Sequence, residues 1–327
     1  MPLLLLFAQQ YRTGAIAPCR HPVRSWTVED AVRAIGQAYA QLASPDPRLN
    51  RFDDVDFRLT SLYRAWQRDD APPSRVKPLP LSLVTQVWNT SLADGTPLAH
   101  AAAQCLIVGF YFLLRPGEYL GRPTTIVHTS LFRIQDVQFW IGSRALSTLI
   151  YFADELLAST FVSLTFSNQK NGVRNETIGH GHSGHPRLCP VHCLALRVLA
   201  IRASPLVALG TPLNAFLPAP TLPFCFLLAS DLTRRIRAAL ILSPDPAYSL
   251  TDVSVRSTRA GGAMALLCAG IDGDRIRLIG RWRSDEMYRY IHVQAAPVMT
   301  GLSTAMLRGG TFTMTPPSPH PPVAPTL

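Results

Sequence analysis

The sequence predicts a mainly α fold with a small β insertion (α+β), divided into two unequal parts, and three observations predict it. Apolar residues recur at helical spacing on both sides of a basic, Pro-rich segment that runs from Ala71 to Pro80. Between Leu131 and Phe166 the spacing changes to short strand-like runs, and Asn171-Gly172 then supplies a strong hairpin turn signal. Apolar residues make up 47% of the chain against 16% charged, so it can bury a sizeable core and does not read as a disordered protein.

Taken in order, residues 1–25 carry no clear pattern and no assignment. Their apolar start, MPLLLLFAQQ, is far too short for a membrane span and lacks the basic region and cleavage site of a signal peptide. A small helical domain is expected over residues 26–70. Thr27 with Asp30 reads as a capping-box start, and Val28, Val32, Ile35, Tyr39 and Leu42 follow at helical spacing. Val55, Leu59, Leu62, Tyr63 and Trp66 mark a second amphipathic helix. Residues 71–80 form a linker whose prolines cannot continue a helix.

The larger domain is expected over residues 81–308. Leu81 to Leu92 and Pro97 to Leu114 are helical, the second apolar enough to be a core helix. Strands follow at Phe132 to Ile134, Val137 to Trp140 and Phe161 to Phe166, and the hairpin turn places Lys170 at or beside its tip. Helices are expected from Val191 to Ile201, after a cap at Ser230 or Asp231, from Ala260 to Ala269, from Asp274 to Ile279 and from Ser284 to Ile291. Residues 204–223 read as an irregular connection. Residues 309–327 read as a disordered tail by composition.

Charge narrows the function classes. The formal charge of +10, from 31 Lys and Arg against 21 Asp and Glu, points to a polyanion as partner. Arg outnumbers Lys, which suits fork-like contacts to phosphate. Arg234, Arg235 and Arg237 on one predicted helix are candidates for DNA phosphate contacts, and a solvated basic face fits the same pattern. The six cysteines show no repeated spacing and read as reduced, buried thiols of an intracellular protein, with no disulfide framework. In HGHSGHPRLCPVHC, a zinc site can be drawn from His185, Cys189, His192 and Cys193. The spacing matches no zinc signature, so no metal is expected, and His180 and His182 are assigned to DNA contacts instead. The sequence shows no paired carboxylates at metal-ligand spacing, which a metal-dependent nuclease would need.

The most informative stretch is Ser254 to Val293, SVRSTRAGGAMALLCAGIDGDRIRLIGRWRSDEMYRYIHV. It interleaves Arg256, Arg259, Arg281, Trp282 and Tyr290 with short helices. Guanidinium groups recognise phosphate oxygens bidentately and a phenol can attack phosphorus, so this grouping suits a phosphodiester. A partner arginine is found in LLRPGEYL, where Arg115 ends an apolar helix, Pro116-Gly117 forces a turn and Glu118 stands ready to orient it. Alone, that motif also fits a helix C-cap or an ordinary ion pair.

Together these segments resemble the tyrosine recombinase (phage integrase) family over residues 81 to about 295. They are most similar to the integrase-like proteins of eukaryotic mobile elements, which carry segments like the LLRPGEY, QKNG and LIGRWRSDE of this chain. The resemblance implies a helical catalytic domain of the DNA breaking–rejoining type, preceded by a short SAM-like core-binding domain. It implies that Tyr290 is the nucleophile, with Tyr288 as competitor, and that Arg115 and Arg259 hold the scissile phosphate. Lys170 would then protonate the leaving oxygen and Glu118 support Arg115. It implies no cofactor, double-stranded DNA as partner, self-association as a synaptic tetramer, no membrane partner, and residence in the nucleus if eukaryotic or otherwise in the cytoplasm. Two positions depart from the family pattern. Arg256 stands where His or Lys is common, and Arg281 follows Gly280 where His or Trp is usual, with Trp282 beside it. Arginine stays charged and cannot act as a base, so an inactive DNA-binding relic or domesticated mobile-element protein is the alternative.

Overall fold

The computed structural model describes residues 1–71, 77–123, 130–167, 175–283, 287–288, 290–291, 296–300, 302–303 and 306. The chain divides into two compact units, Met1–Ser74 and Arg75–Leu327.

The first unit packs three helices, α1 (Pro2–Thr13), α2 (Ser25–Gln41) and α3 (Phe57–Asp69). Residues 1–25, patternless in the sequence, thus contribute a helix whose Leu4 and Ala8 join Val28, Val32, Leu59, Tyr63 and Trp66 in one apolar core. The start of α2 differs from the capping-box expectation. It begins at Ser25, and Thr27 lies inside its first turn. Ser25 directs both its backbone N–H (2.8 Å) and its hydroxyl (2.6 Å) to the Asp70 carboxylate, which also pairs with Arg12 at 2.6 Å. One carboxylate beyond the end of α3 therefore ties α1 and α2 together. Asp56 caps α3 by accepting from Arg58 N–H.

The second unit is built around α5 (Pro97–Tyr111), which is buried on nearly every side. Against it pack α4 (Leu81–Asp94), α8 (Pro190–Arg202), α9 (Ala229–Leu242) and α10 (Arg256–Cys268). The short helices α6 (Pro116–Tyr119) and α7 (Ala153–Leu157) lie between them in sequence, and α11 (Gly273–Gly280) and α12 (Ala296–Met299) follow α10. A four-stranded antiparallel sheet has the order β2-β1-β3-β4, made of β1 (Val137–Ile141), β2 (Arg144–Leu146), β3 (Phe161–Phe166) and β4 (Glu176–Gly181). Its register sets Phe139 opposite both Leu146 and Val162, so the apolar side chains fall on the face that joins the core. The fold is mainly α with a small antiparallel sheet, as the apolar spacing predicts.

Several local expectations are corrected. Phe132 to Ile134 is no strand: Arg133 makes one bridge to Pro212 and a single 3₁₀ turn, Ile134–Asp136, follows. Residues 204–223 are not wholly irregular, since β5 (Ala215–Phe216) pairs with β6 (Cys225–Phe226). Asp231 is no N-cap but reaches back from the third residue of α9 to accept Leu228 N–H at 3.2 Å. Three cysteines are buried, but Cys19, Cys225 and Cys268 are exposed. The Asn171-Gly172 turn, half of the Ser284 to Ile291 segment and the 309–327 tail lie outside the described residues. Among the described residues no helix is long and apolar enough to cross a membrane.

Candidate active site

The site is built from the end of α5 upward. The chain leaves α5 through Phe112 and turns sharply at Leu113, which adopts a left-handed conformation (φ 49°). Pro116 then opens α6, because its missing N–H is not needed in a first helical turn. The third residue of that turn is Glu118, whose carboxylate folds back to accept the Arg115 N–H at 2.7 Å and an Arg115 guanidinium N–H at 3.1 Å. The PGE sequence thus locks Arg115 onto Glu118 before any ligand arrives.

Helix α10 brings Arg259 to the same place. Its approach to α5 is close: a Cβ on Gly262 would collide with the Phe110 carbonyl oxygen, and one on Gly261 with that of Leu79. Arg259 is 2% exposed. One guanidinium nitrogen donates to the Gly280 carbonyl oxygen, while Nε and Nη1 have no hydrogen-bond partner among the described residues. The guanidinium carbon stands 4.2 Å from the Trp282 ring centre and 5.8 Å from that of Tyr290. Trp282 reaches this position because the preceding helix ends in glycine; any side chain on Gly280 would occupy the space of the indole. Trp282 and Tyr290 rings contact each other at 5.3 Å. Tyr290 is half-buried beside Arg259, whereas Tyr288 is 61% exposed.

Arg281 takes a part that the sequence does not reveal. It adopts a left-handed conformation (φ 57°) at the end of α11, which turns its side chain inward. There it meets Glu118 at 3.2 Å and donates to the carbonyl oxygens of Phe112, Leu113 and Ile279 at 3.1–3.2 Å. Its guanidinium carbon lies 3.7 Å from the Phe166 ring centre. Arg281 is therefore a buried cation that links α11, α5, α6 and the end of β3.

Glu118 thus pairs with two guanidinium groups, those of Arg115 and Arg281, while Arg259 stands near enough to feel all three charges. Burial pushes Arg259 below the ordinary arginine range, and the charges of Arg281 and Arg115 push it the same way. Burial likewise lowers Arg281, with Glu118 opposing. Unpaired donors on a buried cation cost several kcal/mol, so the site is left with a strong demand for an anion.

The other candidates are placed as follows. Arg256 is exposed at the start of α10, with its N–H on the Ser254 hydroxyl. Lys170 lies outside the described residues; Phe166, four positions before it, is the residue under Arg281. His180, grouped with DNA contacts in the sequence, instead packs edge-on against Phe112 at 4.6 Å with Nε2 buried, because β4 turns it toward α5. Burial holds its imidazole below the ordinary value. His182 is exposed with Nδ1 3.2 Å from Cys189 Sγ. Arg234 is exposed and pairs with Asp231, Arg235 pairs with Asp94 of α4 at 3.0 Å, and Arg237 donates to the Val253 carbonyl oxygen. Among the described residues no group of three or more His, Cys, Asp or Glu could hold a metal. What sequence reasoning missed is the floor of the site, Phe166, and the coupling of Arg281 to Glu118. Both depend on pairing across the fold rather than on local spacing.

No protein-family model matches the sequence, and no curated protein matches it. Among solved structures the chain is similar to the Tn1549 transposon integrase (residues 82–397) in complex with circular intermediate DNA. The identity is 14% and the TM-score 0.48, over 90% of this chain and 83% of that one.

Proposed function

We propose that this protein is a DNA-cleaving and rejoining enzyme of the tyrosine recombinase type. The single observation that carries the reading is Arg259: a buried guanidinium with two nitrogens unpartnered among the described residues, close to the Trp282 and Tyr290 rings and to the charges of Arg115 and Arg281. A phosphodiester supplies the missing acceptors. Its non-bridging oxygens accept from Arg259 and Arg115, and Glu118 keeps Arg115 in position. Tyr290 Oη attacks phosphorus and releases its proton to water, forming the phosphotyrosyl ester, and water later returns a proton to Lys170. The bond to the 5′-oxygen breaks, and Lys170 gives that oxygen a proton. Attack by a 5′-hydroxyl on the ester reverses the sequence and rejoins the strand, so the energy of the phosphodiester is conserved. Arg281 acts as a positioning residue that fixes Glu118 and the end of β3, and Arg256, exposed at the mouth of α10, contacts flanking phosphate. Duplex DNA is the partner, exchange proceeds in a tetramer, and the protein resides where DNA does, in the nucleus if eukaryotic and otherwise in the cytoplasm.

Incubation with a nicked suicide duplex, in which the cleaved fragment diffuses away, tests this. The parent protein forms an adduct that survives denaturation and Tyr290→Phe does not. An equal adduct from Tyr290→Phe, or none from the parent, contradicts the enzyme. The second reading, a DNA-binding relic without turnover, is favoured by one observation. Arg281 spends its donors on Glu118 and on backbone carbonyls at a position where the resemblance leads one to expect His or Trp. Tight, salt-sensitive binding with no adduct would select it.

A further inference from the structure

Helices α5 and α8, the end of β5 and the segment after it line a half-open pocket of 530 Å³, and none of the arginine–tyrosine site residues lines it. Its walls are mostly apolar, with Leu196 and Leu199 from α8 facing Phe216 and Pro218. Its polar groups are Arg197, Gln104 and His100. The volume and lining are those of a small-molecule site, in which a few polar groups orient an apolar ligand.

Arg197 is the unusual member. It is 2% exposed, and no carboxylate pairs with it among the described residues. Nη1 donates to the Gln104 amide oxygen at 3.3 Å and Nη2 to the Ala215 carbonyl oxygen at 2.7 Å, while Nε has no partner among the described residues. Two neutral oxygens do not neutralise a buried charge, and an interior position on α8 would be filled more stably by Leu or Met. Burial accordingly pushes the guanidinium below its ordinary range. A ligand that supplies one negative charge removes this deficit. One guanidinium with part of its donor set already committed suits a monoanion, and the apolar walls suit a hydrocarbon body rather than a sugar or a polyphosphate.

We infer that this pocket binds a small amphiphilic carboxylate, with the carboxylate on Arg197 and the hydrocarbon along Leu196, Leu199 and Phe216. Such a ligand would bind the folded chain and not the unfolded one, so thermal unfolding reads it directly. The full chain is heated with sodium decanoate below its micelle concentration, and with 1-decanol as the uncharged counterpart. Saturating decanoate is expected to raise Tm by roughly 5–10 °C, and decanol by much less. Ala200→Trp, which fills the mouth and leaves Arg197 in place, is expected to abolish the decanoate shift. Arg197→Met is expected to unfold at no lower a temperature than the parent and to lose the decanoate response. The inference is overturned if decanoate gives no shift, if decanol matches it, or if Ala200→Trp responds as the parent does. If Arg197→Met does not fold, Arg197 is a structural brace, and Ala200→Trp with the decanol comparison still decides whether the pocket binds.

Discussion

At the scale of single residues, Glu118, Arg281 and Arg259 make opposite demands on stability. Glu118 and Arg281 are both almost wholly buried and pair at 3.2 Å, so removing Glu118 leaves Arg281 buried without that counter-charge, and removing Arg281 leaves the Glu118 carboxylate with Arg115 alone. Glu118→Ala and Arg281→Met are each expected to lose about 3–5 kcal/mol, read from the urea midpoint at constant slope. Among the described residues Arg259 has no carboxylate of its own and two of its nitrogens have no partner, which already costs the fold stability. Arg259→Met is therefore expected to leave stability unchanged or raised while adduct formation falls roughly 10²–10³-fold. A loss of stability equal to that of Arg281→Met would show that Arg259 is structural. His180 gives a pH signature. Its folded-state pKa lies below the unfolded value, so the unfolded chain takes up a proton first on acidification. Its effect is absent well above about pH 6.5, and below it stability falls with pH by up to about 1.4 kcal/mol per unit. His180→Phe is expected to flatten that slope just below about pH 6.5.

At the scale of elements, α10 and α11 set the site by how closely they approach. Gly262 lets α10 lie directly on the Phe110 carbonyl, and Gly280 makes room for the Trp282 indole. Gly262→Ala is expected to cost about 1–3 kcal/mol and to reduce adduct formation, because the helix that carries Arg259 must move away from α5. Asp272 caps α11 by accepting from Arg275 N–H at 2.8 Å, and Asp272→Ala is expected to cost about 1 kcal/mol without changing the chemistry. Circular dichroism melts and the adduct assay separate the two. Helices were legible in the sequence where apolar residues follow one face, as in α3, or fill a long run on all sides, as in α5. Their starts were less so. Thr27 and Asp231 look like caps, but Ser25 turns to Asp70, and Asp231 reaches back to Leu228, both choices set by what stands nearby after folding. Residues 1–13 have an apolar run without a polar face to oppose it, so α1 left no periodic mark.

At the scale of the molecule, the site draws on segments more than a hundred residues apart: Arg115 and Glu118 after α5, Phe166 on β3, and Arg259, Arg281, Trp282 and Tyr290 near the end. Arg115, Arg259 and Tyr290 stand out in the sequence because phosphate chemistry would call for those residue types. That Tyr290 rather than Tyr288 lies against Arg259 was legible only through resemblance, and the buried pairing of Arg281 was not legible at all. An arginine that follows Gly280 reads the same whether it faces solvent or interior, until a left-handed turn decides. With +10 overall and these guanidiniums, binding to duplex DNA is expected to weaken steeply with salt, and Arg259→Met to reduce the slope of log K against log salt by about one. The central claim is that the phenol beside Arg259 forms the bond to DNA. Its most direct test is mass spectrometry of the peptide that keeps a nucleotide after the suicide-duplex adduct is digested. The predicted result is attachment at Tyr290; attachment at Tyr288 or at any other residue, or no modified peptide from the parent protein, contradicts it.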